Sequence, residues 1–319
     1  MIVLVVVAWM LAARLALVVV PMILALFPAA LLAPAVGWLD RLRVPRPLAV
    51  LAVLLTAAAV VAGAGFLVVP AVAAELPTLA RSLTDAGNRL DALIDQLPSV
   101  PPDTTPGELI RQGVVAVVGG VGSAVRTGLS LLSGLVLAVV LLALYLAGGA
   151  RIVATGTSAL PAARRPAARE LLDQVWQTLS TYTRTLFVVA LLDATLIGLG
   201  LWALDVPVVL PLSVLVFFGA FVPFVGAFVS GLVAVLVAFA DAGVVSALLV
   251  LGLIVVVQQI EGNVVQPLLM GRAIRLSAFT VIVAIGIGAA LLGVLGAFLA
   301  VPVAAVTART ITFARSRSG

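Results

Sequence analysis

Residues 244–263 read VVSALLVLGLIVVVQQIEGN. From Val244 to Val257 the only polar side chain is that of Ser246, and Gln258-Gln259-Ile260-Glu261-Gly262-Asn263 follows directly. The apolar part belongs in hydrocarbon or a protein interior. At that depth a carboxylate, two glutamines and an asparagine are costly against lipid, so they should face protein or a water-filled cavity. A pathway for a polar solute or ion leaves this pattern in a membrane helix.

Composition points the same way. The chain is 64% hydrophobic and 10% charged, with a mean hydropathy of +1.33, whereas soluble domains carry roughly 25% charged residues. Several stretches reach the ~20 apolar residues that span a bilayer as a helix. The runs are continuous, without the in–out alternation of a membrane β-barrel. The expected class is all-α, a polytopic transmembrane helical protein.

The net charge of +5 comes entirely from arginine, since no lysine is present. The arginines fall in loops between apolar runs, as expected of cytoplasmic loops, and are not gathered on one basic face, so no nucleic-acid partner is expected. The chain contains neither cysteine nor histidine. Disulfides, thiolate chemistry, His-based triads and His- or Cys-ligated metals are thereby excluded. No phosphate-binding loop with its lysine is present, which argues against an ATP-driven pump. No cofactor and no metal are expected.

Worked outward from residue 244, the chain divides by hydropathy. Residues 1–69 read as three membrane helices, the first block being split near Val20-Pro21. Its apolar start reads as a first membrane helix, without the basic region and cleavage site of a signal peptide. Ala25, Ala29, Ala33 and Gly37 recur every fourth residue, a small-residue stripe that admits close helix approach. Residues 70–128 change character: Leu76, Leu79, Leu83, Leu90, Leu93, Ile94 and Leu97 keep a helical period, with Arg81, Asp85 and Arg89 between them. A Pro-rich loop, 99–107, leads to a capping box at Thr105 and Glu108. Four arginines against six acids between Glu75 and Arg126 place this segment outside the cytoplasm. Residues 129–147 read as a further span and 148–184 as a cytoplasmic amphipathic linker. Residues 185–312 form a C-terminal membrane core, followed by a cytoplasmic tail, 313–319. Within the core, 206–240 and 278–309 are too long for one span and short for two, so each is expected to be a helix pair or a broken, re-entrant hairpin. Arginines flank the last block on both sides, which favours an even number of crossings and a cytoplasmic C-terminus. About eight spans result.

The polar cluster can be placed on a helical wheel. At about 100° per residue, Gln258 and Glu261 lie about 60° apart, and Gln259, Asn263 and Gln266 gather on a neighbouring face. Gly262 weakens the helix, and Pro267 removes a donor and is expected to end it. Unwound backbone beside polar side chains is how many transporters build a midplane site. Glu261 is the expected proton-coupling or cation-coordinating carboxylate; the alternative is a solvated carboxylate at an interfacial helix end. Asp193, seven residues inside the apolar stretch that starts at Leu186, is the second candidate. Its alternative is a structural pair with Arg14, Arg184 or a neighbouring helix. Pro223 and Gly226 mark a hinge or broken helix, and Ala289, Gly293 and Gly296 a helix-packing stripe.

The order of motifs resembles the autoinducer-2 exporter family. The opening Val20-Pro21-Met22-Ile23-Leu24-Ala25-Leu26-Phe27, Pro34 and Arg43-Val44-Pro45-Arg46 carries part of the likeness, as does Val222-Pro223-Phe224-Val225-Gly226. The most specific part is Gln258 to Asn263, Pro267, Met270-Gly271-Arg272, Gly293, Gly296 and Ala300-Val301-Pro302. The likeness covers about residues 15–310. Ala227 stands where the family often has a proline. The resemblance implies export of a small polar signalling molecule; some members are described as sodium- or lithium-proton antiporters.

The expectation is a secondary transporter in the bacterial cytoplasmic membrane, with a small polar solute, H+ or Na+, and the lipid bilayer as partners. A homo-oligomer is favoured, since the segment 70–128 offers a surface for self-association. A rival of another class is a membrane scaffold using 70–126 to bind a partner. An intramembrane enzyme would need a nucleophile and base, and neither a GxSxG nor a paired-Asp motif is present.

Overall fold

The computed structural model describes residues 2–94, 112–113, 132–270 and 277–318. Among them all regular elements are helical, as composition requires. They are α1 (Ile2–Arg41), α2 (Arg46–Ile94), α3 (Leu132–Ser158), α4 (Arg165–Ala203), α5 (Val209–Gly219), α6 (Val225–Ile260), a π-helical turn (Glu261–Val265), α7 (Gln266–Met270) and α8 (Ala278–Ser318). Among the described residues, five helices are long and apolar enough to cross a membrane. Counting the pair Val139–Gly149 and Arg151–Ser158, bent by 77°, as one span gives six. Large apolar side chains on the outside, such as Phe66 at 81% exposure, are what a lipid solvent calls for.

Two boundaries differ from the sequence reading. Residues 2–41 are one helix with no division at Val20-Pro21, and α2 runs through Pro70 and Pro77 from the expected span into the amphipathic segment. A proline removes one backbone hydrogen bond, a loss membrane helices tolerate where neighbouring groups re-satisfy the freed carbonyl. The Pro-rich loop and its capping box lie outside the described residues.

The chain forms two compact units. The first comprises residues 1–61, 130–184 and 305–319. Its core joins Ala29 and Val36 of α1, Ala49, Val50 and Val53 of α2, and Leu146 of α3. The first half of the small-residue stripe does what its spacing predicts, with Ala25 and Ala29 buried, whereas Ala33 is half-buried and Gly37 has open space beside it. Close approach leaves backbone carbonyls for side chains to reach. Arg46 donates to Leu146 O at 3.2 Å, Tyr145 to Met22 O at 3.2 Å and Arg184 to Ala30 O at 3.0 Å.

The second unit comprises residues 62–129 and 185–304. Its core gathers Leu79 and Leu83 of α2, Ile197 and Leu201 of α4, Leu212 and Val216 of α5, and Val233, Val237, Val250, Ile254 and Val257 of α6. The amphipathic stripe of α2 is thus the face that closes this core, and Ala86 and Leu90 continue it against Phe239, Ala240 and Ala247.

The two ambiguous blocks are folded back on themselves. α5 ends at Gly219 and α6 begins at Val225. The five residues between turn so tightly that a Cβ on Gly226 would overlap the Gly219 carbonyl. Phe224 has φ 64° and ψ −54°, and Val225 N donates to Pro223 O at 2.8 Å, a strained γ-turn. α8 breaks at Leu292 and at Gly293 (φ 61°, ψ −142°), bringing Gly288 and Gly296 into backbone contact. α6 itself folds at Gly243 (φ 81°, ψ −161°). Gly231 of one arm there approaches Ile254 of the other. α6 is therefore two arms, 225–242 and 244–260, roughly 27 Å and 25 Å long at 1.5 Å per residue.

Candidate functional site

The site lies within the second unit and is assembled from α4, α5, both arms of α6 and the π-helical turn. Asp193 is buried, 7% exposed. One turn further along α4, Ile197 faces the same way, so the carboxyl enters an apolar environment. α5 supplies Val216, and Ala220 follows at its end; Ala227, Ser230 and Gly231 come from the first arm of α6, and Ile254 and Gln258 from the second. With Asp193 they line a cavity of about 20 Å³, room for about one water-sized guest. The small residues open it: side chains larger than Ala220, Ala227 and Gly231 would fill a space of this size.

The second carboxyl arrives through the π-helical turn. The Glu261 N–H is shared between the Val257 and Gln258 carbonyls, and from there to Val265 the winding widens. Single π-helical turns recur at functional sites because the extra residue re-aims its neighbours. Here Glu261 is directed onto Asp193, and the two carboxyl groups are within hydrogen-bonding reach. Ionised carboxylates only accept, so a hydrogen bond between two of them requires a proton on one. Among the described residues no basic side chain lines the cavity.

The structure divides the expected polar cluster. Gln258 faces the cavity and Glu261 faces Asp193, whereas Gln259, Gly262 and Asn263 are exposed on the other side. Pro267 does not end the helix; it sits in the first turn of α7. Winding continues through it from the π-helical turn, so the missing N–H frees a backbone carbonyl at that widened turn. Of the partners considered for Asp193, Arg184 bonds to Ala30 O, and the Arg14 side chain lies outside the described residues. Arg272 lies outside them as well. Pro223 and Gly226 form the turn between α5 and α6, beside cavity residues Ala220 and Ala227. Gly293 is a fold point, with φ 61°, and nothing stands within 4 Å of where a Cβ would lie, so it packs against no neighbour there. Ala289 is exposed, and Gly296 packs against Gly288.

Sequence reasoning named both carboxylates but did not bring them together. It also missed Ser230, whose hydroxyl donates to Ala227 O at 3.4 Å, leaving its lone pairs for a guest. The small pair Ala227 and Gly231, four residues apart, was the one legible signal of a close approach at this point.

The family model described as AI-2E family transporter matches residues 1–316 of the chain. A protein of Mycobacterium tuberculosis named "Putative transport protein MT0215" is 39% identical over 295 residues, covering 90% of this chain and 80% of that protein. YhhT of Escherichia coli and YueF of Bacillus subtilis carry the same designation. YhhT is 28% identical, with 91% of this chain and 82% of its own length covered. YueF is 26% identical, with 86% and 78% covered.

Proposed function

We propose, from the premise that this chain belongs to the AI-2E family of transporters, that it couples transport to a proton or an alkali cation at Asp193 and Glu261. The chain is a multi-pass membrane transporter; the coupling is the further step. The observation that carries it is the meeting of the two carboxyl groups beside a cavity of about 20 Å³.

The chemistry follows from charge. With one shared proton the pair carries a single negative charge and an internal hydrogen bond. When that proton leaves, two carboxylates face each other in an apolar surrounding, and a monovalent cation restores the balance. One proton exchanged for one sodium or lithium ion leaves the net charge of the occupied site unchanged. Ser230 and Gln258 supply further oxygen atoms for a dehydrated ion. This reading places antiport ahead of simple export.

A second reading, outward movement of a small polar signalling molecule, is supported by the family description. A cavity of this size does not hold such a molecule, so on that reading the pair powers a solute that passes elsewhere. The flanking arginines favour a cytoplasmic C-terminus.

The test is proton flux in proteoliposomes with an internal pH dye, on addition of sodium or lithium, for wild type, Asp193→Asn and Glu261→Gln. Cation-dependent flux lost in both variants is the expected result. Equal traces from wild type, variants and empty liposomes would remove the antiport reading.

A further inference from the structure

A second concavity lies in the same unit, apart from the carboxyl pair. It is an open groove of about 690 Å³ between the C-terminal half of α2, the end of α4 and the start of α5. Its walls are mostly apolar, among them Leu199, Trp202 and Val208. Among the described residues one charged group enters it, the Glu75 carboxylate, whose Oε2 is buried and has no hydrogen-bond partner there. An unpaired buried carboxylate oxygen is costly, and a donor or cation relieves it.

The hydroxyls around it sharpen the requirement. Thr195 donates to Leu191 O at 2.7 Å, and Ser213 donates to Val209 O at 2.8 Å. With those hydrogens committed to helix carbonyls, both side chains present only lone pairs to the groove. Thr78 Oγ1 accepts from Arg81 at 3.2 Å, and Arg81 also holds Pro77 O at 3.3 Å. That guanidinium is engaged with its own helix and is not part of the lining. Apart from the Trp202 indole N–H and the Thr78 hydroxyl, the polar side chains of the groove present acceptors, and its one charge is negative.

We infer that the Glu75 groove binds a small organic monocation, an alkyl- or aralkylammonium. Its N–H groups reach Glu75 Oε2 and the Thr195 and Ser213 oxygens, and its hydrocarbon part lies on Leu199 and Val208. Trp202, 71% exposed, offers an indole face of the kind that attracts ammonium groups. A bare metal ion fits less well. It needs several converging oxygens, whereas this groove offers one carboxylate and is otherwise largely apolar. The volume lies within the 300–1,000 Å³ or so typical of small-molecule sites. The groove also leads toward the carboxyl pair: Val209 and Ser213 in its lining share one stripe of α5 with Val216, which lines the inner cavity along with Ala220 beyond the helix end. A Cβ on Gly198 would collide with the Ser213 side chain, so α4 and α5 are closed against each other where the two spaces approach.

The test is calorimetric titration of the full chain in phosphatidylcholine nanodiscs with phenethylammonium chloride, against empty nanodiscs. Phenylacetate and 2-phenylethanol serve as anionic and neutral controls. Saturable binding of the ammonium alone is expected, at least tenfold weaker in Glu75→Gln and severalfold weaker in Trp202→Ala. Asp193→Asn should bind as wild type while losing ion flux, which separates this site from the carboxyl pair. Absence of saturable binding, or equal affinity in Glu75→Gln, overturns the inference. So does binding lost in Asp193→Asn but kept in Glu75→Gln. Should Glu75→Gln not purify as a monodisperse protein, Thr195→Val and the exposed Trp202→Ala decide, and unchanged affinity in both overturns it.

Discussion

Asp193 and Glu261 are 68 positions apart in the chain, and each alone reads as an isolated membrane carboxylate. Their meeting changes what substitution should do. Residues acting as one unit are strongly non-additive. Asp193→Asn and Glu261→Gln should each lower cation-dependent proton flux about tenfold or more, with the double variant no worse than either single one. Gln259→Ala and Asn263→Ala, at exposed positions on the far side of the turn, should stay within about twofold of wild type. Initial rates in the same liposomes check both statements, and a double variant whose losses multiply would mean that the carboxyls work separately. The residue types at this site were thus legible in the sequence, but the selection among them was not. The wheel at 100° per residue holds for an α-helix, and the π-helical turn beginning at Glu261 departs from that spacing.

At the scale of elements, glycines decide where helices fold back, and two of these should respond to alanine differently from a third inside a helix. Gly226 faces the Gly219 carbonyl with no room for a Cβ, so Gly226→Ala should destabilise by about 1–3 kcal/mol. Gly243 has open space but a backbone conformation nearly exclusive to glycine, so Gly243→Ala should cost roughly 1–3 kcal/mol through strain alone. Gly252 lies inside the second arm of α6, exposed and with nothing within 4 Å of a Cβ. Gly252→Ala should be neutral or stabilise by about 0.5–1 kcal/mol. Thermal unfolding of the purified protein in one detergent orders the three. The lengths of blocks 206–240 and 278–309 had already announced broken helices. The fold within 225–260 was marked as well, since Asp241-Ala242-Gly243 separates the block ending at residue 240 from the apolar run that starts at Val244, and the structure places the break at Gly243. The prolines misled in the opposite direction: Pro21, Pro70 and Pro267 stand at expected boundaries, and helical winding runs through each of them.

At the scale of the whole molecule, the charge pattern predicts a topology that the absence of cysteine makes simple to test. Single cysteines at Arg165 and Arg315 should react with an impermeant maleimide from the cytoplasmic side. One at Asp85, exposed on α2, should react from the opposite side; labelling of all three from one side would reject the charge-based orientation. The class of this protein was determined by sequence alone, because transfer of side chains between water and hydrocarbon depends on composition and run length and hardly on partners. The family was legible as well, in an ordered series of short motifs. The amphipathic stripe of α2 was visible as a periodicity, and the structure then gave it a purpose as one wall of the second unit's core. Only the tertiary structure decided which polar groups act together. Asp193 reaches Glu261 through helix folds at Gly226 and Gly243 and one widened turn, and Glu75 enters an apolar groove where α2 meets α4 and α5. Those contacts arise from backbone geometry between segments distant in the chain, and a pattern read along one helix at a time carries no record of them.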